Sequence, residues 1–185
     1  MEASEFHNDC VEMWKKMADR SDPDGYSLLQ IVLHWGIAAL VVFQLSVNEA
    51  VQAAFRDRVD GKPVGDEPGA LLHVAVGLTI LALAVVRLVV RLMRGAPEAH
   101  ATNPRLVNLA GAIAHWLLYG FIFLMPLTGA IAWFTGLEFS AELHELGRLI
   151  LIPLIGAHAL GALAEHYVFR TNSLRRMLKA EPPDR

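Results

Sequence analysis

Residues His144 to His158 read HELGRLILIPLIGAH, an apolar run closed at each end by a histidine. Folded as an α-helix, fourteen residues make close to four turns, so both imidazoles project from nearly one face. They stand about 21 Å apart along the axis at 1.5 Å per residue. That is most of the ~30 Å hydrocarbon thickness of a bilayer. A membrane-crossing helix of this sequence carries one histidine near each side.

The rest of the chain supports a membrane reading. Of its 185 residues 54% are hydrophobic, and the mean hydropathy is +0.38. Charged residues make up 19%, against about 25% in soluble domains. The apolar residues fall in four blocks, Ser27 to Val47, Ala70 to Met93, Leu106 to Phe134 and Leu143 to Phe169. Each is long enough to cross a bilayer as a helix. None has the polar face that a soluble helix presents to water. The fold class is therefore all-α, an integral membrane four-helix bundle. Pro126 and Gly129 interrupt the third block, and a kink is expected near residues 122–126.

Twelve of the sixteen lysines and arginines lie at one set of helix ends, among them Arg87, Arg91, Arg94, Arg105, Arg175 and Arg176. Only Arg56, Arg58, Lys62 and Arg148 lie at the other. This bias places both termini in the cytoplasm, with the chain crossing its membrane four times. Residues 26–178 then form the transmembrane domain, 179–185 a cytoplasmic tail and 1–25 a cytoplasmic arm. Phe6, Cys10, Met13, Trp14 and Met17 fall at helical spacing in that arm, which reads equally as an interfacial helix or a partly disordered tail. The arm does not read as a cleavable signal peptide. The loop from Asn48 to Gly69 becomes an external cap. A net charge of −3 gives no reason to expect a nucleic-acid partner, and one cysteine excludes an intrachain disulfide or a multi-thiolate metal site.

Depth sorts the membrane histidines. His73 and His144 share the external level, while His34 and His158 share the cytoplasmic level. Two depth-matched pairs, each bridging two helices, suit bis-histidine haem b. Small residues nearby, such as Gly36, Gly77, Gly147, Gly156, Ala159 and Gly161, allow close approach of ring or backbone. Zinc is a weaker competitor because each level lacks an obvious third ligand. A proton relay is the other competitor, but it needs no four-turn spacing. His115 lies at the depth of His34 and His158, so depth alone leaves the cytoplasmic pair open. His166, beside Glu165 and Tyr167 at the cytoplasmic interface, suits a quinone site or simple interfacial anchoring. Arg87 and Arg91 suit haem propionates as well as positive-inside anchoring. His7 and His100 fall outside the spans and are expected at the surface.

Several stretches together are similar to the bacterial cytochrome b561 family from Tyr26 to about Leu178. They are LQIVLHW, LLHVAVG, VVRLVVRL, AHWLLYGFIFLMPLTG, ELHELG and GAHALGALAEHYVFRTNSLRRML. The resemblance implies four membrane helices, two b haems and ligands at His34, His73, His144 and His158, which sets His115 aside on family grounds. Some members oxidise superoxide on the periplasmic side and reduce ubiquinone; others carry electrons to or from partner proteins. Glu165-His166 stands where some relatives have a histidine pair, and Ala112 where some have a further histidine.

Two functions are therefore weighed. One is a superoxide:ubiquinone oxidoreductase, which calls for a positive external funnel. The other is an electron-transfer subunit that docks a periplasmic cytochrome or dehydrogenase. The external acids Asp57, Asp60, Asp66, Glu67, Glu138, Glu142 and Glu145 outnumber the four cations, which weakens the funnel and suits a basic partner. A non-redox haem-binding scaffold ranks below both.

Overall fold

The computed structural model describes residues 23–47, 49–60, 62 and 67–180. The arm expected as an interfacial helix, with His7 and Cys10, lies outside them. The described residues form six helices: α1 (Leu28–Ser46), α2 (Glu49–Val59), α3 (Pro68–Arg94), α4 (Arg105–Thr135), α5 (Glu138–Tyr167) and the short α6 (Ser173–Arg176). Four of them, α1, α3, α4 and α5, are long and apolar enough to cross a membrane.

Their surfaces agree with a lipid environment. Trp116 is 77% exposed and Leu106 79%, an outward apolar face that water would penalise and lipid would not. Among the described residues the buried apolar side chains are few: Ile31, Leu33 and Ile37 on α1, Ala54 on α2, Ala70, Ile80 and Ala84 on α3, Ala132 on α4 and Leu151 on α5.

Helix ends follow their local chemistry. Ser27 caps α1, its Oγ accepting from the Gln30 N–H (3.3 Å) while the Gln30 Oε1 accepts from the Ser27 N–H (3.0 Å). This reciprocal box satisfies two amides that a helix start leaves unpaired. Pro68 opens α3, where a missing N–H costs nothing. Gly136 ends α4 in the left-handed region (φ 72°), and its N–H caps the Ala132 carbonyl. Arg170 turns the chain after α5 with φ 54°, and the Thr171 N–H returns to the Glu165 carbonyl at 2.9 Å.

One expectation needs correction. The fourth span begins at Glu138, five residues before Leu143. Glu138 and Glu142 interrupt the apolar pattern, yet an acid in the first turn favours a helix start. His144 is consequently in the second turn of α5, not the first. The segment between the first two spans, expected as a cap, contains a helix of its own, α2, packed against α3. The third span is one continuous helix with Pro126 inside it, and α5 likewise holds Pro153.

Chain neighbours pack closely: α3 with α1 and α4, and α4 with α5. Among the described residues, α5 has no comparable backbone packing against α1 or α3. The bundle is thus clefted along the face of α5 that carries the two histidines.

Candidate functional site

Both clefts are bridged by histidine rings. At one end of the bundle the His73 ring from α3 and the His144 ring from α5 have centres 6.3 Å apart and planes at 71°. At the other end, His34 from α1 and His158 from α5 repeat the arrangement at 6.3 Å and 68°. Two imidazoles on one metal ion, each bonded at about 2.0 Å with its ring centre roughly 1.1 Å behind the nitrogen, would stand about 6.2 Å apart when opposed. The separations of both pairs are close to that span. His115 on α4 approaches the same His158 ring at 5.2 Å and 65°, short of that span. His34, His73, His144 and His158 are half-buried, facing their clefts, whereas His115 is exposed.

The His144 ring is the most firmly held. Its Nδ1 lies 2.8 Å from the Met125 carbonyl and 3.3 Å from the Thr128 hydroxyl. Donating Nδ1–H to that carbonyl fixes the tautomer and leaves Nε2 as an electron-pair donor. Thr128 in turn bonds the Leu124 and Met125 carbonyls, and the buried Ser140 hydroxyl donates to the Thr128 carbonyl at 2.8 Å. Glycines make room for this arrangement. A Cβ on Gly129 would lie 2.9 Å from the His144 Cε1, and one on Gly147 would lie 2.5 Å from the Met125 sulfur.

A cavity of about 600 Å³ opens beside His73 and His144, within the roughly 300–1,000 Å³ range of cofactor sites. Val51, Phe55 and Arg56 of α2 line it, so the segment between the first two spans is part of the site. Arg148 lines it too. Sequence reasoning counted Arg56 and Arg148 only as surface charge; the helical register of Arg148, one turn after His144, was the available signal. The Arg148 guanidinium is 3.7 Å from the Glu145 carboxylate, and Lys62 is held by Asp60 (2.9 Å) and Asp57 (3.3 Å). Donating hydrogen bonds to the Asp60 and Asp57 carboxylates pushes the Lys62 ammonium above the ordinary lysine range.

At the His34 end, the Arg87 guanidinium donates to the Gln30 carbonyl at 3.0 Å, and the Gln30 amide donates to the Gly95 carbonyl at 3.0 Å. Arg91 lies 5.6 Å over the Tyr119 ring. The tail closes this end, the Trp35 indole donating to the Met177 carbonyl (2.8 Å) and Arg176 to the Glu98 carbonyl (3.1 Å). Asn103 bridges Asn108 and the Glu165 carboxylate, each at 3.2 Å. His166 packs edge-on against Tyr167 at 4.8 Å, and its Nδ1 is enclosed without a hydrogen bond. His100, expected at the surface, is half-buried with its Nε2 likewise enclosed, because the Asn108 amide bonds the His100 carbonyl (3.0 Å) and folds the loop inward.

A clefted bundle of apolar helices with facing histidine pairs is the frame of a membrane cytochrome of the b type. The profile of prokaryotic cytochrome b561 matches residues 25–180, and the chain belongs to that family. It is similar to cytochrome b562 of Cereibacter sphaeroides, 38% identical over 156 residues that cover 84% of this chain and 96% of that protein. It is also similar to the probable superoxide oxidase CybB of Yersinia pestis, 29% identical over 176 residues covering 83% of this chain and 95% of that one. The family implies haem b and membrane electron transfer.

Proposed function

We propose that this chain carries electrons across the bacterial inner membrane between a periplasmic donor and the ubiquinone pool, through two b haems. His73 and His144 hold the outer one, His34 and His158 the inner. The observation that supports this reading is the repeated 6.3 Å separation of two histidine rings, each pair with one member on α5, close to the span that one shared metal ion would need. The cation bias supports placing the His34 end and both termini in the cytoplasm, and residues 26–178 as the transmembrane cytochrome unit.

Haem b at both pairs supplies two one-electron carriers in series. The protein's part is to hold and shield them. Met125 keeps the His144 proton on Nδ1. Arg87 and Arg91 at the inner end of α3, and Arg56 and Arg148 around the outer cavity, are cations suited to propionates. Glu165 is seven residues beyond His158, which puts it on almost the same helix face about 10 Å nearer the cytoplasm. With its neighbour His166 it supplies proton-bearing groups on the cytoplasmic side of the inner haem site, where ubiquinone would be reduced, and His115 lies beside His158 one level deeper. Each quinol formed needs two electrons and two cytoplasmic protons. Superoxide as donor gives up one electron per anion and leaves as dioxygen.

A specific observation favours a second donor class, a basic soluble protein. Lys62 and Arg148, two of the outer cations, are already matched to carboxylates, so the face offers little attraction to a small anion and more to a cationic partner.

Pyridine haemochrome analysis tests the assignment. The wild type should contain two haems per chain, His144→Ala and His158→Ala one each, and His115→Ala two. Two haems in either of the first two variants refute the pairing. Stopped-flow mixing with superoxide, or with a basic c-type cytochrome, in the presence of a ubiquinone analogue separates the donors. The effective donor reduces the wild-type haems faster than those of His144→Ala.

A further inference from the structure

Gln44 is a polar side chain near the end of a membrane helix, and the histidine pairs alone give it no task. Its Nε2 donates to the backbone carbonyl of His73 at 2.9 Å. Gly77, one turn past His73, permits this, since a Cβ there would lie 3.2 Å from that nitrogen. The amide is thus wedged in the seam between α1 and α3, and Gln44 and His73 both line the outer cavity.

Each of the two residues is left with an enclosed polar atom. The Gln44 Oε1 is buried and accepts no hydrogen bond, and the His73 Nδ1 is buried and makes none. The contrast with the facing ligand is direct, because the His144 Nδ1 has the Met125 carbonyl. Ligating histidines donate their second ring N–H to a carbonyl or carboxylate, which fixes the tautomer and the ring plane. The Val47 carbonyl also approaches the His73 ring. That carbonyl sits at the C-terminal end of α1, where such groups can be satisfied by water. The Gln44 oxygen is enclosed, and pairing it with the ring satisfies two buried atoms at once.

We infer that Gln44 is the positioning residue of the His73 ligand: its Nε2 holds the His73 carbonyl while its Oε1 accepts the Nδ1–H of the same residue, directing Nε2 to the iron. This rests on the outer-haem reading above. Hydrogen bonding at Nδ1 makes an imidazole a stronger electron donor, which stabilises ferric over ferrous iron. It also fixes the angle between the His73 and His144 planes, to which the electron paramagnetic resonance of low-spin ferric haem responds.

The test uses the purified full-length protein with haem bound. The outer haem is identified as the one lost in His144→Ala. Gln44→Met keeps the side-chain length and removes the acceptor. It should raise the outer midpoint potential and shift the outer resonance, with the inner haem unchanged. Gln44→Glu keeps an acceptor for the Nδ1–H but loses the N–H that holds the His73 carbonyl, so its outer potential should fall below the wild-type value rather than rise. An outer haem in Gln44→Met with wild-type potential and resonance overturns the proposal and leaves the Val47 carbonyl as the acceptor. If Gln44→Met sheds the outer haem, Gln44→Glu decides: retention with a lowered outer potential supports the proposal, and loss in both reduces Gln44 to a seam filler. A wild type with one haem overturns the dihaem reading itself, a result visible before any Gln44 variant is made.

Discussion

Gly129 is the residue whose change should speak most clearly about how the outer site is held. Alanine there places a Cβ 2.9 Å from the His144 Cε1 and 3.0 Å from its Nδ1. Both atoms belong to a ring already fixed by the Met125 carbonyl at 2.8 Å, so relief requires the ring to leave that carbonyl or α4 to move from α5. Overpacking of this kind costs about 1–3 kcal/mol, and the lost hydrogen bond costs about 1 kcal/mol more. Charged against haem binding, a total of about 2–4 kcal/mol weakens the outer site roughly 30- to 900-fold. Titrating haem into apoprotein in detergent measures it, with one binding step weakened and the other intact. Gly120→Ala is the matched control. Gly120 is exposed one turn from Trp116, and a Cβ there meets nothing within 4 Å. Two wild-type binding steps in Gly129→Ala would refute the argument that the glycine exists to admit the ring.

Three further outcomes are expected. Ser140→Ala removes a buried hydroxyl that donates to the Thr128 carbonyl at 2.8 Å; thermal unfolding should show a loss of about 1 kcal/mol, seen as roughly 2–4 °C. Arg170→Gly relieves a left-handed backbone at φ 54°, which costs a non-glycine residue about 1 kcal/mol, so the variant should melt higher in the same assay. Asp60 and Asp57 hold Lys62 protonated above the usual lysine range, so the ion pairs persist at and below that range and are lost only as pH rises through the elevated pKa. Lys62→Met at neutral pH therefore exposes two carboxylates and should speed reduction by a cationic protein donor at low salt, with the gain vanishing at high ionic strength.

Hydropathy made the first three spans legible because their apolar blocks end where the chain turns polar, at Ser27 and Val47 or at Leu106 and Phe134. It misplaced the start of α5 because Glu138, Ser140 and Glu142 are polar for reasons other than solvent: one suits the helix dipole, and the buried Ser140 bonds α4. The same blindness hid α2, whose amphipathic sequence runs straight into the Asp-, Gly- and Pro-rich stretch 60–69. Spacing and depth brought His73 to His144 and His34 to His158, since both depend only on helix rise. They could not separate His34 from His115, because depth is one coordinate and the difference lies in the lateral placement of α1 and α4 around His158. Nor could they find the Met125 carbonyl or the Gln44 amide, whose parts depend on how two helices rotate against each other.

Every histidine pair described above has one member on α5, the last long helix of the chain. A polypeptide that stops after α4 holds His34, His73 and His115 but no facing pair. On the proposed ligand set, neither cofactor can be clamped until α5 has entered the membrane, so capture of the prosthetic groups comes late in biogenesis. A ribosome-stalled or truncated chain would then remain colourless, and colour itself would mark completed insertion.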